Sequence, residues 1–191
     1  MKIVGVGCGP GMLTEAAIAA IRSAALICGS ARAIDLARPH IPAGCEVREI
    51  ADYTRLRDLP AHAVVLSTGD PMLAGLGSLL AGEIVPGISS LQVAFARLRL
   101  PIARAAIVSA HGKDHARAAA EAAAEIRRGR IAFVVADPAF DIRALAAALP
   151  PRTTIAVCEH LGYPAERIAL GTAGSPPAAE SDLFVVVAGK F

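Results

Sequence analysis

The sequence predicts an α/β protein built as two small α/β domains, and three observations carry that expectation. Short runs rich in Val, Ile and Leu alternate with alanine-rich stretches of helical length, the pattern of sheets with helices on their faces. Glycine- and proline-bearing loops follow several of the runs, as expected where strands turn back into helices. The segment Leu98-Arg99-Leu100-Pro101 closes a helical stretch, because proline restricts its predecessor and cannot extend the hydrogen-bond ladder. Domains over residues 1–100 and 101–191 follow.

In the first domain, strands are expected at 2–6, 25–28, 46–50, 63–67 and 83–85, and helices at 15–23, 31–37, 75–80 and 90–97. Thr14 and Ser30 stand where hydroxyl N-caps belong. In the second, strands at 106–109 and 131–136 alternate with helices at 114–128 and 142–149. Strands at 153–158, 167–170 and 183–187 then follow one another without a long helix between them, which predicts a mixed sheet. The run Gly174-Ser175-Pro176-Pro177 reads as a surface loop.

Composition narrows the function. Of 191 residues, 54% are hydrophobic and 19% charged, enough for a packed core. The net charge of +2, without a block of like charges, and 4% aromatics do not make a nucleic-acid surface. No apolar run reaches the roughly 18 residues of a membrane span, and the N-terminus lacks a secretory pattern. A cytoplasmic protein is expected. Cys8, Cys28, Cys45 and Cys158 form no C-x-x-C pair, so buried reduced thiols are expected rather than a zinc ribbon or a disulfide framework.

Ligands of open α/β sheets lie beyond the carboxyl ends of the strands, so the loops there hold the candidate chemistry. The first strand runs into Gly5-Val6-Gly7-Cys8-Gly9-Pro10-Gly11, which misses the G-x-G-x-x-G dinucleotide register at Pro10 or Met12 and has no P-loop Lys-Ser/Thr. NAD and ATP become poor candidates. The fourth runs into Thr68-Gly69-Asp70-Pro71, where Asp70 either binds hydroxyls or a cation or caps the next helix. The fifth leads into Pro86-Gly87-Ile88-Ser89-Ser90, with two hydroxyls at a helix start. The serines lack the G-x-S-x-G context of a hydrolase.

Together, the glycine-rich first loop, Gly69-Asp70-Pro71 with Gly75 and Gly77 beyond it, and Pro86-Gly87-Ile88-Ser89-Ser90 resemble the tetrapyrrole methylases, which transfer methyl from S-adenosylmethionine (SAM). The first loop departs from the family pattern in having Met12 where aspartate is common. The run from Val157 to Ile168, with Ser109-Ala110-His111-Gly112, resembles the branch that methylates carbon 5 of cobalt-precorrin-7, or precorrin-6Y, in cobalamin synthesis.

The resemblance implies a two-domain fold with the cofactor cleft between the domains, a homodimer, and SAM contacts at Pro10, Thr68, Gly69, Asp70, Leu73, Ser89, Ser90, Ala136 and Leu161. It also implies a corrinoid substrate, and a separate carbon-15 decarboxylating methyltransferase where that module is not fused. The superfamily alternatives are a diphthine synthase and a ribosomal-RNA ribose methylase; a noncatalytic corrinoid-binding partner is the alternative outside enzymology. His111 is the candidate acid or base and Glu159 a second. His111 and His115 stand four apart but lack an H-E-x-x-H context, so no metal site is expected. Arg97, Arg99, Arg104 and Lys113, near the junction, are candidate partners for substrate carboxylates.

Overall fold

The computed structural model describes residues 1–111 and 114–191, and the contacts divide them into two units, Met1–Ser90 and Leu91–Phe191. The first unit contains β1 (Lys2–Gly5), α1 (Glu15–Arg22), β2 (Leu26–Gly29), α2 (Ala31–Ala37), β3 (Glu46–Glu49), β4 (Val64–Ser67), α3 (Pro71–Ala74) and β5 (Glu83–Val85). Its strands lie in the order β3-β2-β4-β1-β5, every pair parallel. The inner strands β2 and β4 are buried along their whole length, which is why they read as continuous apolar runs. Edge strand β3 is Glu-Val-Arg-Glu and exposed throughout, a charged edge that discourages further pairing.

Both expected hydroxyl caps form. Thr14 accepts from the Ala17 N–H and Ser30 from the Ala33 N–H. The helix expected over 75–80 does not. Asp70 caps the chain earlier, Pro71 occupies the first helical turn, and α3 ends at Gly75, whose extended backbone separates it from a short 3-10 turn at Leu76–Ser78. Proline's fixed φ favours a helix start, and that signal outweighed the apolar spacing downstream.

The division between Ser90 and Leu91 falls at the first residue of α4 (Ser90–Leu98), and the rest of that helix opens the second unit. Then come β6 (Ala105–Ser109), α5 (His115–Arg127), β7 (Ile131–Val135), α6 (Ile142–Ala147), β8 (Thr154–Glu159), β9 (Arg167–Thr172) and β10 (Phe184–Gly189). The order is β6-β7-β10-β8-β9, with β6 and β7 parallel and the other pairs antiparallel. This is the expected mixed sheet. Ala118, Ala122 and Leu145 of α5 and α6 pack with Val134, Val157 and Val186 on one face. Phe133 alternates to the other face, where Phe95 of α4 meets it edge-on at a centroid distance of 6.2 Å.

Candidate functional site

In the first unit, three loops interlock beyond the ends of β1, β4 and β5. The Val6 N–H donates to Ser67 O at 2.9 Å, and Gly7 and Gly69 exchange backbone bonds at 3.3 and 2.7 Å. Gly69 holds a left-handed φ of 70°, a conformation glycine adopts without steric cost. A Cβ on Gly87 would lie 2.8 Å from Gly5 Cα and nearer still to the Gly69 carbonyl. The three backbones can therefore touch only because side chains are missing there.

Asp70 fastens this junction. Its Oδ1 accepts from the Met72 N–H at 2.7 Å and its Oδ2 from the Gly87 N–H at 3.0 Å. One carboxylate thus caps α3 and ties the β4 loop to the β5 loop. The structure brings Thr68, Gly69, Asp70 and Ser89 together: a Cβ on Gly69 would stand 3.7 Å from Ser89 Cα, Ser89 is buried, and Arg32 Nη2 donates to Thr68 Oγ1 at 3.2 Å. Ser90 begins α4 and Leu73 sits half-buried in α3. Pro10 is exposed in the first loop. The sequence reading missed the mutual packing of Gly5, Gly69 and Gly87, although glycine at all three strand exits was its visible signal.

In the second unit, Ser109 of β6 is in register with Val135 of β7, and β7 and β8 both run antiparallel to β10. His111, Ala136 and Leu161 therefore share one end of that sheet. His111 is exposed on a turn, Ala136 is half-buried against the core and Leu161 is buried. Gly112 and Lys113, singled out with His111 and with the candidate cations, lie outside the described residues. His115 does not pair with His111. Its Nε2 lies 3.0 Å from Asp137 Oδ2, and its ring meets Phe140 edge-on. Among the described residues, no three His, Cys, Asp or Glu side chains gather as metal ligands.

Glu159 is only 1% exposed, and its carboxylate is fully engaged. Oε1 accepts from the Glu180 and Ser181 N–H groups at 2.6 and 2.7 Å, and Oε2 is paired with Arg167, which also reaches Glu180 at 2.7 Å. Burial alone would push this carboxyl up. The Arg167 guanidinium and the two backbone donors outweigh it and hold the carboxyl below the usual range. A carboxylate so occupied has no geometry for accepting a substrate proton. It clamps residues 180–181 beside a cavity of about 420 Å³ bordered by Phe140, Arg143, Pro177 and Glu180.

The other candidate cations are also partly committed. Arg97 binds Glu166, and Arg104 donates to Lys190 O at 3.3 Å. Arg99 is exposed with a left-handed φ of 55°. Of the thiols, Cys28 and Cys158 are buried as expected, whereas Cys8 and Cys45 are half-buried; none of the four is joined in a disulfide.

A parallel sheet with interlocked glycine loops at its carboxyl ends is thus followed in the chain by a mixed sheet. The profile of the tetrapyrrole (corrin/porphyrin) methylases matches residues 2–177, and the chain belongs to that family. It is similar to the cobalamin-biosynthesis precorrin-6Y methylase of Archaeoglobus fulgidus, at 31% identity and a TM-score of 0.79, over 100% of this chain and 98% of that one. A Methanocaldococcus jannaschii protein described as a "probable cobalt-precorrin-7 C(5)-methyltransferase" is 31% identical over 59% of this chain. The match spans 61% of that relative's length. The uroporphyrin-III C-methyltransferase of Thermus thermophilus shares the fold alone, at 21% identity and a TM-score of 0.67 over 99% of this chain and 91% of that one.

Proposed function

We propose that this protein transfers a methyl group from SAM to carbon 5 of cobalt-precorrin-7, or of the metal-free precorrin-6Y, in cobalamin biosynthesis. The observation that carries the reading is the three-loop junction at Gly5, Gly69-Asp70 and Gly87, because it ties the loops after β1, β4 and β5 into one arrangement at the carboxyl ends of the parallel sheet, where ligands of such sheets lie. The names of the relatives support the choice of corrinoid. Pro10, Thr68, Gly69, Leu73, Ser89 and Ser90 would hold the donor in the first unit, with Asp70 fixing the shape of their loops; Ala136 and Leu161 would contribute from the second.

When bound, SAM supplies an already activated methyl group. The residues then have to orient the donor and exclude water, which is where large rate gains lie in such reactions. His111, an exposed imidazole at the same sheet end as Ala136 and Leu161, is the candidate for accepting the proton released. Glu159 serves the fold. In this reading the protein is a cytoplasmic homodimer, and carbon-15 methylation and decarboxylation belong to a separate enzyme.

Incubation with cobalt-precorrin-7 and methyl-labelled SAM tests the proposal. One added methyl at carbon 5, without release of carbon dioxide, is the expected result. A labelled protein or RNA would assign the chain to another activity of its superfamily, and a corrinoid bound but unchanged would make it a binding partner. SAM binding should survive treatment with a chelator, as measured by calorimetry.

A further inference from the structure

The run from Val157 to Ile168 carries a second carboxylate, Glu166, that the proposed chemistry does not use. Its Oε2 accepts from the Gly162 N–H at 2.7 Å, and its Oε1 accepts from Arg97 Nε at 2.6 Å. Arg97 Nη2 adds a longer bond to Oε2 at 3.4 Å. The Arg97 guanidinium beside it holds the Glu166 carboxyl below the usual range, against the opposing effect of burial. The turn it grips is unusual in its backbone. His160 is left-handed at a φ of 47° and Gly162 at 81°, while the His160 N–H donates to Leu183 O at 3.0 Å and the Tyr163 N–H to His160 O at 2.8 Å. Leu161 sits at the centre of this turn, and α4, which carries Arg97, is the helix that starts at Ser90.

We infer that Glu166 is a positioning residue for donor binding: paired with Arg97, it holds the Leu161 turn to α4 in the conformation that receives SAM. The inference rests on the reading of Leu161 and Ser90 as donor contacts. Arg97 is 49% exposed and Glu166 20%, and an ion pair with its cation in water adds only modestly to global stability. The Gly162 bond and the guanidinium fork instead fix the direction of one turn. Their loss should therefore appear in ligand affinity and not in the unfolding of the protein.

Calorimetric titration of SAM into the full chain, with a thermal melt of the same sample, tests this. Glu166→Gln and Arg97→Ala should each weaken SAM binding by about tenfold while Tm moves by no more than about 3 °C. Arg97→Lys, which restores the charge without the fork, should recover part of the affinity. Arg38→Gln breaks a more exposed arginine–carboxylate pair, with Asp35, and should leave affinity unchanged. Wild-type affinity in both Glu166→Gln and Arg97→Ala, or a loss that only tracks falling Tm, overturns the inference and leaves the donor reading intact. Failure of the unaltered chain to bind SAM overturns the donor reading and this inference with it. Should Glu166→Gln not fold, the exposed Arg97 variants decide.

Discussion

Position 70 shows how one short side chain serves two loops. Because each oxygen of Asp70 holds a backbone N–H, Asp70→Ala should cost about 1 to 3 kcal/mol, the range for leaving a partly buried donor unpaired. Asp70→Asn, which keeps one acceptor, should cost less, and urea unfolding midpoints of the two variants check the order. Glu159 makes the complementary case. Its carboxyl is held below the usual range in the folded protein, so the unfolded chain binds the proton more readily. The stability it contributes is complete at neutral pH and is lost as pH falls through the folded value. Glu159→Gln should thus lower stability at pH 7 by about 1 to 3 kcal/mol, the cost of weakening the charge-assisted bonds to Arg167 and the two backbone donors, and flatten the decline expected of the parent as pH falls from neutral into the acid range. Chemical denaturation across that range reads both effects.

At the scale of elements, the junction of β1, β4 and β5 depends on glycine at the points of contact. Gly87→Ala would force a methyl group against Gly5 and the Gly69 carbonyl, and the expected loss is about 1 to 3 kcal/mol of stability, the usual cost of overpacking a rigid site. Equilibrium unfolding of the purified variant measures it. The strands and helix caps were readable in the sequence because Val, Ile and Leu runs and the hydroxyls of Thr14 and Ser30 act over a few residues. The short helix after Asp70 was not, since apolar spacing over 75–80 suggested a helix that Pro71 and Gly75 relocate. The glycine-bearing loops at the strand ends were legible as motifs, whereas the role of Glu159 was not. Its partners at 167, 180 and 181 are brought to it by the pairing of β8 with β9 and β10, which no local pattern encodes.

For the molecule as a whole, one interior thiol reports on each unit. Burial raises the Cys28 thiol, and burial together with Glu166 and Glu159 pushes Cys158 up to about 12, so both stay protonated at neutral pH and react only when their unit opens. Iodoacetamide should label Cys8 and Cys45 in the native protein well before Cys28 and Cys158, as read by peptide mass spectrometry; equal rates at all four would contradict the burial described. The central place of β10 bears on how the protein is made. The strands of the first unit are complete once Val85 has been synthesised, and that sheet can close early. In the second, β7 and β8 each pair with β10, so the β6–β7 pair and the β8–β9 hairpin wait with bare inner edges until residues 184–189 have left the ribosome. Such edges recruit strands from other chains, and the interval between Thr172 and Phe184 is the window in which the nascent protein is most exposed to aggregation and to chaperones.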